Sequence, residues 1–222
     1  SMTQKPLEEE QIQLFFSDIE PLVASKVLVR LENETLSIGE RILAQGLQLT
    51  VRGQEKIGII GSNGVGKSTL LAKLHQLLSD KREISLGFMP QDYQETLQLD
   101  LSPVEFLSQT GHKEEIQKIQ SHLASLNFSY PEMHHQIHSL SGGQQGKLLL
   151  LNLVLRKPNF LLLDEPTRNF SPTSQPEIRK LFATYPGGLV TVSHDRRFLK
   201  EVCTTIYRLT EYGLEVVDLQ DL

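Results

Sequence analysis

The stretch from residue 56 to residue 78 constrains this chain more than any other. KIGII, residues 56–60, has the apolar character of a buried strand and runs straight into GSNGVGKS, residues 61–68. Leu70, Leu71, Leu74, Leu77 and Leu78 then recur at the spacing of one helix face. The octapeptide matches G-x-x-x-x-G-K-[ST] between the two flanks that pattern requires, a strand before and a helix after. Its glycines free backbone N–H groups to wrap an anion, and the helix start adds its positive end. Lys67 is expected to reach the outer phosphates of a bound polyphosphate, and Ser68 to ligate Mg²⁺. Gly61, Ser62, Asn63, Gly64, Val65, Gly66 and Thr69 complete the candidate phosphate-binding set. An ordinary glycine-rich turn is the alternative, and both flanks argue against it.

Around this unit, apolar residues alternate with polar ones at Val27, Val29 and Leu31 and again at Leu47, Leu49 and Val51, with a turn at Gly53. Strands are expected at residues 84–89, 160–163 and 189–192, and helices at 143–156, 177–184 and 196–202. Two β stretches, 205–209 and 214–219, close the chain. Strands alternating with helices imply an α/β fold with a mainly parallel core sheet. Residues 102–138 are polar and helical in pattern, broken at Gly111 and Pro131, so a helical subdomain inserted at about 92–140 is expected. Ahead of residue 23, Ser1-Met2 has the look of a tag remnant, and residues 7–19 of a short, poorly patterned helix ending a linker.

Composition excludes several functions. The 222 residues suffice for one large domain or two small ones. Lys and Arg number 22 against 27 Asp and Glu, and the net charge of −5 disfavours a chain held on nucleic acid by its overall charge. A single cysteine, Cys203, precludes an internal disulfide framework; its apolar setting makes it a core filler. The longest apolar run, residues 148–155, falls far short of the ~18 residues a membrane span needs. A cytoplasmic location is expected.

Two further motifs carry chemistry. In FLLLDEP, residues 160–166, a buried strand ends in two acids. Asp164 is expected to hold Mg²⁺, directly or through water, and Glu165 to orient or deprotonate an attacking water. In LSGGQQGK, residues 140–147, Ser141 is a candidate N-cap, and Gly142 and Gly143 expose backbone N–H groups at a helix start.

Taken together, these residues resemble the nucleotide-binding domain of ABC ATPases, a P-loop NTPase with an ABC-type β subdomain, over nearly the whole of residues 23–222. By that resemblance GSNGVGKS is the Walker A, FLLLDEP the Walker B, and LSGGQ, with Ser141, Gly142, Gly143 and Gln144, the signature. Gln91, 24 residues after Lys67, resembles the Q-loop glutamine that contacts Mg²⁺ and the reacting water. His194, 29 residues after Glu165, resembles the switch histidine that contacts the γ-phosphate. The resemblance implies ATP and Mg²⁺ as cofactors, with Glu165, His194 and Gln91 catalytic. It also implies a second ABC domain packed head to tail, so that Ser141 and Gly143 serve the neighbour's nucleotide. An isolated copy is then expected to bind ATP but hydrolyse it poorly.

Two departures stand out. Family members commonly stack adenine on an aromatic residue ahead of the Walker A; residues 34–43, ETLSIGERIL, hold none, which leaves Arg41 as a substitute by stacking. Ser171 stands where the D-loop usually has Asp. The wording IGIIGSNGVGKSTLL, DEPTRNFSP and VSHDRRFL looks like the ABC-F class, whose members carry two such domains and act on the ribosome as translation factors or antibiotic-resistance protection proteins. Only 49 residues separate Gln91 from Ser141, too few for the extra arm of an ABC-F first domain, so the chain resembles the second. The competing reading is the ATP-binding subunit of a membrane transporter. Lys113, Lys118, Arg179, Lys180, Arg196, Arg197 and Lys200 are candidate basic faces toward ribosomal RNA, although Arg196 and Arg197 equally suit helix capping or ion pairing. His134, His135 and His138 invite a metal reading, but no Cys accompanies them and a solvated segment is preferred.

Overall fold

A computed structural model of the chain describes residues 14–222. Its centre is a six-stranded sheet in the order β4 (Leu86–Met89), β5 (Phe160–Asp164), β6 (Gly188–Val192), β3 (Lys56–Ile60), β7 (Thr205–Thr210) and β8 (Gly213–Val217). The first five are parallel, and β8 closes the edge antiparallel to β7. A separate antiparallel hairpin, β1 (Val27–Ile38) and β2 (Arg41–Arg52), turns through Gly39 and Glu40.

Side-chain alternation explains the layering. Along β5, Phe160 and Leu162 join one core while Leu161 and Leu163 join the other, so the strand is apolar throughout because both faces are covered. One core packs the sheet against α1 (Lys67–Ser79) and the β1–β2 hairpin, through Leu70, Leu71, Leu74, Leu36 and Leu47. The other packs it against α5 (Gly142–Leu155), α6 (Gln175–Ala183) and α7 (Arg196–Val202). On that face β3 carries Gly58, where a Cβ would come within 2.6 Å of Ile206 Cδ1 and 2.7 Å of Leu199 Cδ2. Glycine is what lets α7 lie so close to the sheet.

Between β4 and α5 the chain holds only helices and turns: α2 (Pro103–Leu107), α3 (Lys113–Ser125) and α4 (Tyr130–His134), with 3₁₀ turns at Tyr93–Glu95 and Ile137–Ser139. Capping boxes start α2 at Ser102 and α4 at Ser129. Pro131, expected as a break, instead lies in the first turn of α4, where a missing N–H costs nothing.

The N-terminal segment also departs from expectation. The expected helix at 7–19 lies partly outside the described residues, and 14–19 are not helical. Leu14 is buried, and the Phe16 ring meets Tyr185 edge-on at 4.7 Å and Phe182 at 6.2 Å. Asp18 has φ 57°, in the left-handed region, which turns the chain. Docking of separate apolar side chains onto the core replaces a helix face whose pattern was poor. Arg179 is also corrected: it is 4% exposed and pairs with Glu201 at 2.8 Å, so it belongs to no basic face.

Candidate functional site

Parallel strands bring their carboxyl ends to one edge, and the loops leaving those ends are where open α/β sheets place ligands. Here the loop after β3 is residues 61–66, the turn after β4 carries Gln91, β5 ends on Asp164 and Glu165, and β6 leads to His194 and Asp195. All four meet around one cavity of about 840 Å³.

The β3–α1 loop needs its glycines. Gly64 and Gly66 have φ 83° and 103°, left-handed values that L side chains resist. A Cβ on Gly66 would also press on Leu43 of the hairpin at 3.1 Å. No side chain caps the start of α1, so its first N–H groups keep their capacity for an anion. Lys67 Nζ donates to the carbonyls of Gly61 (2.6 Å) and Ser62 (2.8 Å), and burial pulls its pKa below the usual lysine value. Asn63, Gly64, Gly66, Lys67, Ser68 and Thr69 line the cavity; Gly61, Ser62 and Val65 shape the loop behind it.

Opposite the loop, Ser68 Oγ donates to Asp164 Oδ2 at 3.0 Å. Asp164 Oδ1 is buried with no hydrogen-bond partner among the described residues. Buried polar atoms are seldom left alone. A carboxylate oxygen left so, beside a hydroxyl and with Gln91 on the same wall, fits a hard divalent cation with oxygen ligands. Burial raises the Asp164 pKa, against the lowering by Ser68, Lys67 and Arg168.

Glu165 follows in a strained conformation: φ is 50°, and its N–H donates to Val192 O at 2.8 Å. That turn swings the carboxylate into the cavity, where Oε2 accepts from the His194 N–H at 3.3 Å and Oε1 lies 3.5 Å from His194 Nε2. Burial raises the Glu165 pKa, with His194 opposing. A largely buried carboxylate beside an imidazole suits general-base work or the positioning of water.

Other expected residues fall elsewhere. Ser141, Gly142, Gly143 and Gln144 do not line the cavity. Ser141 N-caps α5 in a capping box with Gln144, whose amide donates to Glu132, while Gly142 and Gly143 face open space. Ser171 Oγ stays within its own turn, 3.0 Å from Thr173 Oγ1. His134 and His138 engage Gln120 and Gln136. Cys203 is buried, its thiol pushed up to about 12 by burial.

Arg41 does line the cavity, together with Ile38 and Leu43, which no motif marks. Thr167, Arg168, Gln175 and Asp195 were also missed. Thr167 Oγ1 donates to Asp195 Oδ2 at 2.9 Å, tying the β5 and β6 loops together, and Asp195 also N-caps α7. Their positions after the two acids and after His194 were the available signal.

A glycine loop opening a helix beside the sheet, with Ser68 donating to the buried Asp164 and a Glu–His pair across one cavity, defines a P-loop nucleoside triphosphatase fold. Residues 44–168, more than half of the chain, match the family described as ABC transporter, and the chain belongs to that family as an ABC ATP-binding domain. It is similar to the Probable ATP-binding protein YheS of Escherichia coli strain K12, at 30% identity over 198 residues, covering 86% of this chain and 31% of that protein. ABC transporter F family member 2 of Arabidopsis thaliana is 27% identical over 221 residues, covering 96% of this chain and 32% of that one. The chain thus spans about a third of the length of these curated relatives. A dimeric, post-hydrolysis structure of the ATP-binding cassette MJ0796 bound to ADP and Pi shares the fold, at TM-score 0.71 and 20% identity over 86% of this chain and 98% of that one. Among the described residues no helix is long and apolar enough to cross a membrane.

Proposed function

We infer that this chain is the ATP-hydrolysing domain of an ABC-F-type protein that works in the cytoplasm on the ribosome, as a translation factor or antibiotic-resistance protection protein. The observation that carries the hydrolytic reading is the pairing of Asp164, with one buried oxygen unsatisfied beside Ser68, and Glu165 on His194, in the cavity that Lys67 serves. Residues 61–69 bind the phosphates, and Lys67 leaves its loop carbonyls for the outer ones. Ser68, Asp164 and Gln91 hold Mg²⁺, which when bound neutralises charge on the phosphate oxygens. Glu165 orients or deprotonates water, while His194 holds the carboxylate and faces the terminal phosphate.

Residues 23–222 form the nucleotide-binding domain, with 92–140 its helical subdomain and 1–22 a linker-like lead. The exposed Ser141 and Gly142, with the half-buried Gly143, complete the site of a second ABC domain packed head to tail; the dimeric state of the MJ0796 cassette supports this. The ribosomal role rests on the motif wording and on likeness to an F-family protein.

Nucleotide titration tests the site: Lys67→Ala abolishes ATP binding, and unchanged affinity would refute the assignment. For the ribosomal role, the full-length parent protein is trapped with ATP by Glu165→Gln. It is then expected to cosediment with ribosomes, whereas copurification with membranes instead would favour a transporter subunit.

A further inference from the structure

The two ends of the cavity differ in chemistry. Ser68, Asp164, Glu165 and His194 gather at one, and the β1–β2 hairpin forms the other through Ile38, Arg41 and Leu43. Ile38 and Arg41 are direct cross-strand partners, so their side chains leave the same face of the hairpin about 5 Å apart. Leu43, at a register shift two positions beyond Arg41, also lines the cavity and abuts Gly66 of the phosphate loop. A triphosphate seated on residues 61–69 with its outer phosphates toward Asp164 leaves its base at the hairpin. There the base meets two aliphatic side chains and one guanidinium. The Arg41 side chain is exposed and forms no ion pair or hydrogen bond with any described residue.

These groups do not select adenine. Stacking on a guanidinium plane or an aliphatic wall works for any purine. Adenine is told from guanine by its N6 amino donor, where guanine carries the O6 acceptor beside N7. Arginine only donates, and isoleucine and leucine do neither. So none of these three side chains accepts from adenine N6, while Arg41 offers the paired donors that match guanine O6 and N7.

We propose that this site takes guanine nucleotides as readily as adenine nucleotides, with Arg41 setting the base preference. The proposal rests on the nucleotide-site reading above, and one set of titrations separates the two. ATP and GTP, each with Mg²⁺, are titrated into the wild-type chain and into Arg41→Ala, Arg41→Lys and Lys67→Ala, with circular dichroism as the folding control. The wild type is expected to bind GTP within about tenfold of ATP. Arg41→Ala weakens GTP roughly tenfold, the scale of one bidentate base contact, and ATP much less. Arg41→Lys, which keeps the charge but loses the fork, behaves like the alanine variant. GTP binding more than about tenfold weaker than ATP overturns the proposal; if ATP then saturates and is lost in Lys67→Ala, the nucleotide site itself stands. Equal losses of ATP and GTP in Arg41→Ala overturn the role of Arg41. Binding of neither nucleotide to the wild type overturns both readings.

Discussion

Glu165 holds its backbone at φ 50° and its side chain 11% exposed, with His194 on one side and Asp164 next to it in sequence. Burial, the largest cause of its raised pKa, means that folding at neutral pH confines a charge that the unfolded chain would hydrate. A carboxyl whose folded pKa lies above its unfolded value costs stability above the folded pKa. That cost fades as pH falls through the folded value, above 4.5, toward the unfolded one. Glu165→Gln, which keeps an acceptor for the His194 N–H, is therefore expected to raise Tm at pH 7.5. Thermal melts should show the gain shrinking toward pH 5 and below; an unchanged or lowered Tm at neutral pH would contradict it. At this scale the motifs mark Lys67, Ser68, Asp164 and Glu165, each at a fixed offset from a strand end, and the structure gathers all four at one cavity. Ile38, Leu43 and Asp195 escaped notice, because nothing local ties an exposed hairpin isoleucine to a phosphate loop.

Whole elements were legible where both periodicity and flanks agreed. The strands at β5 and β6 and the helices α5 and α7 fall within a residue or two of expectation, since a doubly buried strand or an amphipathic helix declares itself in composition. The segment at 14–19 did not, because docked aromatics impose no period on the sequence. Packing between elements also gives Gly58 a meaning that its sequence context lacks: α7 crosses β3 where a side chain cannot fit. Gly58→Ala is expected to destabilise the domain by about 1–3 kcal/mol through overpacking against Leu199 and Ile206. Urea unfolding followed by circular dichroism would measure it, and a midpoint equal to wild type would show that α7 yields without cost.

For the molecule as a whole, the decisive arrangement is that the signature residues and the cavity do not meet. If a second copy must supply Ser141 and its neighbouring glycines, ATP turnover per chain should rise with protein concentration. Ser141→Ala should lower that turnover at high concentration while leaving ATP affinity of the dilute chain unchanged. A concentration-independent rate would point to a site complete in one chain. The sequence by itself determined the phosphate loop, the two acids at a buried strand end and the α/β alternation, because those depend on local backbone freedom, charge and period. Tertiary structure alone decided that β6 lies between β5 and β3, that Ser68 reaches across to Asp164 and leaves one oxygen unsatisfied, and that a hairpin some twenty residues upstream closes the far end of the cavity. Those outcomes depend on which buried faces pack together over long separations, a choice made by the whole core at once and written in no single stretch of the chain.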